Sequence, residues 1–123
     1  MDRKGWIEEA ALRLTDARLL LRRDRNGRAV SAAYYAVHAA GKGLLLTVEE
    51  GIDELTSHDA LRRLLGKHFV RTGQLPDDTA SRIQKRSEGR QAADYDLRSY
   101  DAAEARRQLD DADALIDRLG ALS

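Results

Sequence analysis

The sequence predicts an all-α domain, a bundle of five helices joined by short connections. Only one proline occurs in 123 residues, and the runs of β-branched residues that favour strands are missing. Apolar residues recur instead at the three- and four-residue spacing of helices. A chain of this length fits one domain, residues 1–123, and buries enough surface for a core without disulfides or a structural metal.

The first helix is predicted from about Lys4 to Arg23, where apolar side chains follow helical spacing and Arg and Glu fill the other side. Asp24 to Gly27 are turn-forming residue types and end this helix.

The second helix, about 29 to 46, divides into three faces when its residues are placed 100° apart. One face is apolar and the second carries only small residues, so another backbone can approach it closely. The small face consists of Ala29, Ala32, Ala36, Ala39 and Gly43. The third face, called here the polar strip, consists of Ser31, Tyr35, His38 and Lys42. A helix with two packing faces and one narrow polar face is typical of the middle of a bundle.

A third helix is predicted from about 58 to 71, with Thr56 or Ser57 as its N-cap and Gly73 as its end. A fourth begins after Pro76, capped by Asp77 and Asp78, and runs to about residue 93.

The last helix begins at Asp101, where Glu104 three residues on completes a capping box, and it ends at Gly120. Its predicted core positions are Ala105, Leu109, Ala112, Ile116 and Leu119. The segment from Asp94 to Tyr100 is predicted to be a connection.

The fourth helix is basic, and Arg82, Lys85 and Arg86 are predicted to form a solvated face. Arg90 differs because it projects about 20° from Ile83, on the inward side of the helix. A buried guanidinium needs a partner, and Asp94 stands four residues on. Arg90 is therefore predicted to be either a structural clamp or a phosphate-binding group.

The three histidines lack metal-binding spacing, so no metal site and no cofactor are expected. His58 is placed near a helix start and His68 at a helix seam. His38 is either hydrogen-bonded in the interior or functional, because it shares the polar strip. That strip is either where a buried helix reaches the surface or the lining of a cleft.

Composition excludes several classes of function. The 21 basic and 21 acidic residues balance, so general affinity for polyanions does not follow. No cysteine is present, which excludes thiol chemistry. No signal peptide or membrane span is recognisable, and a cytoplasmic location without membrane association is expected.

The second helix also carries a family resemblance. Residues 29–40, Ala-Val-Ser-Ala-Ala-Tyr-Tyr-Ala-Val-His-Ala-Ala, closely resemble the second-helix signature of HEPN domains, in the branch catalogued as UPF0332. Three further pieces agree in order and spacing, namely residues 56–58, 69–73 and 90–95. The resemblance covers nearly the whole chain.

The resemblance implies a four-to-five-helix up-and-down bundle that forms a homodimer. It also implies a minimal nucleotidyltransferase as partner, in a toxin–antitoxin system. Many HEPN toxins are metal-independent ribonucleases that use an Arg followed four to six residues later by a His. Arg90 matches that Arg, but Tyr95 stands where the His would fall, and a phenol with a pKa near 10 is a poor base at neutral pH.

The leading functional hypothesis is therefore a HEPN-type module that binds a nucleotide or RNA and has weak or no catalysis. Its expected ligand-binding residues are Ser31, Tyr35, His38, Arg90, Asp94 and Tyr95. The first alternative is a ribonuclease toxin that uses Arg90 with His38 or Tyr95. The second is a structural, antitoxin-like subunit whose polar strip binds protein. The resemblance also makes Tyr95 a candidate acceptor for modification by the nucleotidyltransferase.

Overall fold

Four α-helices pack around a fifth in a computed structural model that describes residues 1–96 and 99–123. The helices are α1 (Arg3–Arg22), α2 (Asn26–Leu45), α3 (His58–Leu65), α4 (Thr79–Asp94) and α5 (Ala102–Gly120). The described residues contain no β-strand, and the predicted all-α fold is confirmed. None of the helices described is both long and apolar enough to cross a bilayer.

The central helix is α2, which contacts each of the other four. It is antiparallel to α1, since Gly43 near its end lies against Trp6 and Ile7 at the start of α1. It is also antiparallel to α4, since Gly27 lies against Ala93, Val30 approaches Gly89 and Tyr34 approaches Ser87. The prediction that this helix lies in the middle of the bundle, with most of its residues packed, is confirmed.

The start of α2 lies three residues before the predicted one. Asp24 takes a positive φ of 58° and completes the turn after α1, so the helix resumes at Asn26. The Asn26 side chain, assigned to the turn from sequence, donates from Nδ2 to the carbonyl of Tyr100 at 2.9 Å. This long-range hydrogen bond accounts for the difference.

The third predicted helix is two segments. Regular α-helix ends at Leu65, and Gly66–Val70 form a wider π turn closed by the Arg71 amide donating to the Gly66 carbonyl at 3.0 Å. Ser57 is the N-cap, accepting from the Ala60 amide at 3.1 Å. Gly73 then takes φ +80°, which glycine adopts without strain, and confirms the predicted end.

Two predictions for α4 are wrong. The Asp78 carboxylate does not cap the helix, because it accepts a hydrogen bond from Arg118 Nη1 of α5 at 3.0 Å. Arg82 and Arg86 do not form a solvated face, because both pair with Asp111 of α5, with Arg86 Nε 3.2 Å from Oδ2. These acidic partners lie on another helix, so the spacing within α4 could not reveal them.

The prediction for α5 is largely confirmed. The Asp101 carboxylate accepts from the Glu104 amide at 2.7 Å, and the helix ends at Gly120. Leu115 is buried, whereas the predicted core residue Ile116 is only partly buried against the core. Leu97 and Arg98, in the predicted connection before α5, lie outside the described residues.

Candidate functional site

Arg90 projects from α4 into the polar strip of α2. It is only 5% exposed, and its Nη1 lies 3.4 Å from the hydroxyl of Tyr35. The inward position inferred from the Ile83 spacing is therefore correct. Arg90 and the strip, which sequence spacing alone could not bring together, share one site.

Three tyrosine rings surround the guanidinium. The centroids of Tyr34, Tyr35 and Tyr95 lie 5.5, 5.7 and 5.5 Å from Arg90 Cζ, within the range of cation–π attraction. Tyr34 is buried, whereas Tyr95 is 72% exposed and covers the site from the solvent side. The Nε of Arg90 has no hydrogen-bond partner among the described residues.

Asp94 closes this end of the site. Its Oδ2 lies 3.8 Å from Arg90 Nη1, so the ion pair predicted from the four-residue spacing is present. The same oxygen accepts a hydrogen bond from Ser31 Oγ at 3.0 Å, which ties the end of α4 to α2. At 3.8 Å the carboxylate attracts the guanidinium without a close hydrogen bond.

A pair of histidines lies behind the tyrosines. The ring centroids of His38 and His58 are 4.5 Å apart, and Tyr34 stacks on His38 with centroids 6.0 Å apart. Tyr34 Oη hydrogen-bonds to Nδ1 of His58. An interior hydrogen bond is one of the two predictions for His38. Its Nε2 makes none, because this atom is buried with no partner among the residues described.

Burial sets the protonation of this cluster. It lowers the pKa of His38 to about 3, with the Lys42 charge adding to the effect. It also lowers the pKa of His58, with Arg90 contributing, and raises the pKa of Tyr34 to about 12. Both imidazoles are therefore neutral at pH 7 and Tyr34 keeps its proton, so the phenol donates to His58 Nδ1.

A cleft of about 310 Å³ continues from Tyr35 along α2. Its lining comes from Trp6 and Arg13 of α1, from the later part of the polar strip, and from the segment 54–58 that leads into α3. Arg13 pairs with Glu9 at 2.9 Å and lies 3.5 Å from the Tyr35 carbonyl. The polar strip is thus the wall of a cleft as well as the seam of a helix.

The six residues predicted to bind ligand fall into two groups. Ser31, Tyr35, Arg90, Asp94 and Tyr95 meet at one end. His38 lies farther along the cleft and connects to Arg90 only through the rings of Tyr34 and His58. Ligand binding by these residues stays a prediction.

Sequence reasoning missed His58 and Tyr34 as site residues. Tyr34 lies on the apolar face of α2, and its position in the sequence does not indicate that its hydroxyl contacts a histidine. His58 follows a loop whose path the sequence does not define. His68, placed at a seam, is half-buried and lies 3.0 Å from Glu49. Among residues 1–96 and 99–123, no cluster of His, Cys, Asp and Glu could hold a metal ion.

Comparison with known proteins gives two matches. The family described as "HEPN domain" matches residues 4–122. A UPF0332 protein of Thermotoga maritima is 30% identical over 90 residues, which cover 73% of this chain. The matched region spans 66%, slightly less than two thirds, of that relative's length.

Proposed function

Because this chain belongs to the HEPN domain family, we propose that its cleft binds a nucleotide or RNA, with Arg90 contacting a phosphate. One observation carries the proposal. The Arg90 guanidinium is 95% buried, yet its nearest carboxylate is 3.8 Å away and its Nε has no partner among the described residues. A buried charge with incomplete hydrogen bonding favours an anion that completes it.

The surrounding residues suit a nucleotide. The planar guanidinium donates two parallel hydrogen bonds to a phosphate, a geometry that a single ammonium cannot match. The exposed ring of Tyr95 offers a face on which a base stacks. Asp94, held by Ser31, orients Arg90 and must give way or share the guanidinium when the phosphate arrives.

The binding test compares AMP with adenosine. AMP at millimolar concentration should raise the unfolding temperature by several degrees, and adenosine should raise it less. Arg90→Gln should abolish the AMP effect, whereas Arg63→Gln, at an exposed arginine of α3, should not. An unchanged unfolding temperature with AMP, or a full effect in Arg90→Gln, would refute the proposal.

The partner is proposed from the family resemblance. The protein acts as a homodimer with a minimal nucleotidyltransferase, in a toxin–antitoxin system, with little or no catalysis of its own because Tyr95 occupies the place of the motif histidine. The gene beside this one is the most direct check. A nucleotidyltransferase there, copurifying with this protein, supports the pairing; an unrelated neighbour counts against it.

His38 favours a second candidate, a metal-independent ribonuclease. Its neutral ring keeps a free electron pair that accepts the proton of a ribose 2′-hydroxyl, whereas the electron pair of His58 Nδ1 already accepts from Tyr34. The 2′-oxygen then bonds to phosphorus, the bond to the 5′-oxygen breaks, and the leaving oxygen takes a proton from solvent. Arg90 neutralises the phosphate during this exchange.

Cleavage assays decide the second candidate. Purified protein is incubated with tRNA and mRNA in the presence of a metal chelator, beside Arg90→Ala prepared in the same way. The wild type should cut and Arg90→Ala should be at least a hundredfold slower. Equal cleavage by both preparations, or no cleavage by either, would reject the ribonuclease hypothesis.

A further inference from the structure

A second buried cation lies along the cleft from Arg90. Lys42 is 4% exposed and lines the cleft, yet within residues 1–96 and 99–123 its ammonium makes no hydrogen bond or ion pair. Its Nζ lies 4.6 Å from the centroid of the Trp6 ring. A cation–π contact replaces only part of the hydration that an ammonium gives up in a narrow cleft. Burial accordingly lowers the pKa of Lys42.

The charges around Lys42 are mixed. Arg13 faces the same cleft, although its Nε already pairs with Glu9. Glu54 is exposed, lines the cleft and acts on Lys42 to raise its pKa, against the larger effect of burial. Asp53 acts in the same direction, yet neither carboxylate forms an ion pair with Lys42, so the ammonium is attracted to anions but does not hold one.

A second polar group at this place also lacks a partner. His38 stands one helical turn before Lys42 on the polar strip and is 6% exposed. Its Nε2 is among the buried atoms without a hydrogen bond in the described part of the chain. A ligand beside Lys42 therefore meets two incompletely bonded groups, one a cation.

The spacing along α2 defines the size of the ligand. Arg90 contacts Tyr35, and Lys42 follows seven residues later, which is about 10 Å along the helix axis at 1.5 Å per residue. We propose that Lys42 is a second anion subsite and that the cleft takes a short single-stranded oligonucleotide. A mononucleotide has one phosphate for two separated cations, whereas an oligonucleotide places a nucleoside between successive phosphates. This inference rests on the proposed function, because it takes Arg90 as the first subsite.

Calorimetric titration with two probes tests it. The probes are AMP and a 5′-phosphorylated adenosine trinucleotide, and the wild type should bind the trinucleotide about tenfold more tightly. Lys42→Met should remove that advantage and leave AMP affinity unchanged. It should also reduce the dependence of log affinity on log salt by about 0.7, the value for one phosphate contact in a single strand. Lys85→Met, at an exposed lysine of α4, is the matched control and should change neither probe.

If Lys42→Met does not fold, a second variant with the opposite expected effect still tests the proposal. Glu54→Gln removes an exposed carboxylate that competes with an incoming phosphate, so it should tighten trinucleotide binding and leave AMP binding as it is. If AMP binding depends on Arg90 while neither variant changes trinucleotide affinity, the second subsite is wrong and the proposed function stands. Equal loss of both probes in Lys42→Met also overturns a separate subsite. If the wild type binds neither probe, the proposed function fails and the subsite fails with it.

Discussion

His38 illustrates how surroundings decide the protonation of one side chain. Burial alone disfavours the imidazolium, and the positive charges of Lys42 on the same helix and of Arg13 and Arg90 on neighbouring helices disfavour it further. The pKa falls from 6.5 to about 3, whereas in the unfolded chain the ring takes up a proton near 6.5. Between these values the unfolded state binds more protons, so the free energy of unfolding falls as the pH is lowered through this range.

The first prediction follows from that difference. Between pH 7 and pH 5, the wild type should lose about 2 kcal/mol more unfolding free energy than His38→Gln, which carries no titrating ring. Urea unfolding at each pH measures both slopes. Equal slopes for His38→Gln and the wild type would show that His38 is not the group responsible.

At the scale of elements, the contact between α1 and α2 depends on the absence of a side chain. A Cβ on Gly43 would lie 3.2 Å from Ile7 Cγ1, 3.3 Å from Trp6 Cβ and 3.4 Å from the Arg3 carbonyl oxygen. Two of these neighbours are fixed near the α1 backbone and cannot rotate away. The predicted small face of α2 is thus confirmed where the two helices approach each other.

The second prediction concerns this contact. Gly43→Val should lower the free energy of unfolding by about 1–3 kcal/mol, because the added methyl groups push α1 away. Gly66→Val is the matched control, since a Cβ there meets nothing within 4 Å. Urea denaturation of the two variants gives the comparison. Similar losses of unfolding free energy in both variants would mean that the destabilisation comes from β-branching in a helix and not from the approach of α1.

At the scale of the whole molecule, the sequence predicted most of the fold because helical signals are local. Caps at Ser57 and Asp101, the end at Gly73 and the inward side of α4 all depend on residues a few positions apart. What failed depended on partners distant in the chain. The Asp78 carboxylate bonds to Arg118 instead of capping its own helix, and nothing in α4 identifies that partner.

The candidate site, like the fold, could be predicted only where its residues follow the period of one helix. Arg90, Asp94 and the polar strip could be named because each lies on one helix with a regular period. The meeting of His58 with His38 and Tyr34 could not, since it depends on the course of the loop between α2 and α3. Recognition of HEPN-like residues supplied the family but not this arrangement.

The third prediction follows from the central place of α2. This helix contacts all four others, so its amides should exchange with deuterium only when the whole molecule unfolds. The free energy of exchange at Val37 and Leu44 should equal that from urea unfolding. Amides of the π turn Gly66–Val70 should exchange by local opening at lower free energy. Faster exchange in α2 than in α5 would contradict this.

Trp6, under the Lys42 ammonium, is the only tryptophan in the chain. A charge held over an indole ring changes the wavelength and quantum yield of its fluorescence. Excitation at long wavelength does not excite the four tyrosines. Displacement of Lys42 toward a ligand would therefore alter the emission of one known residue. The unlabelled protein carries its own optical probe at the end of the cleft away from Arg90.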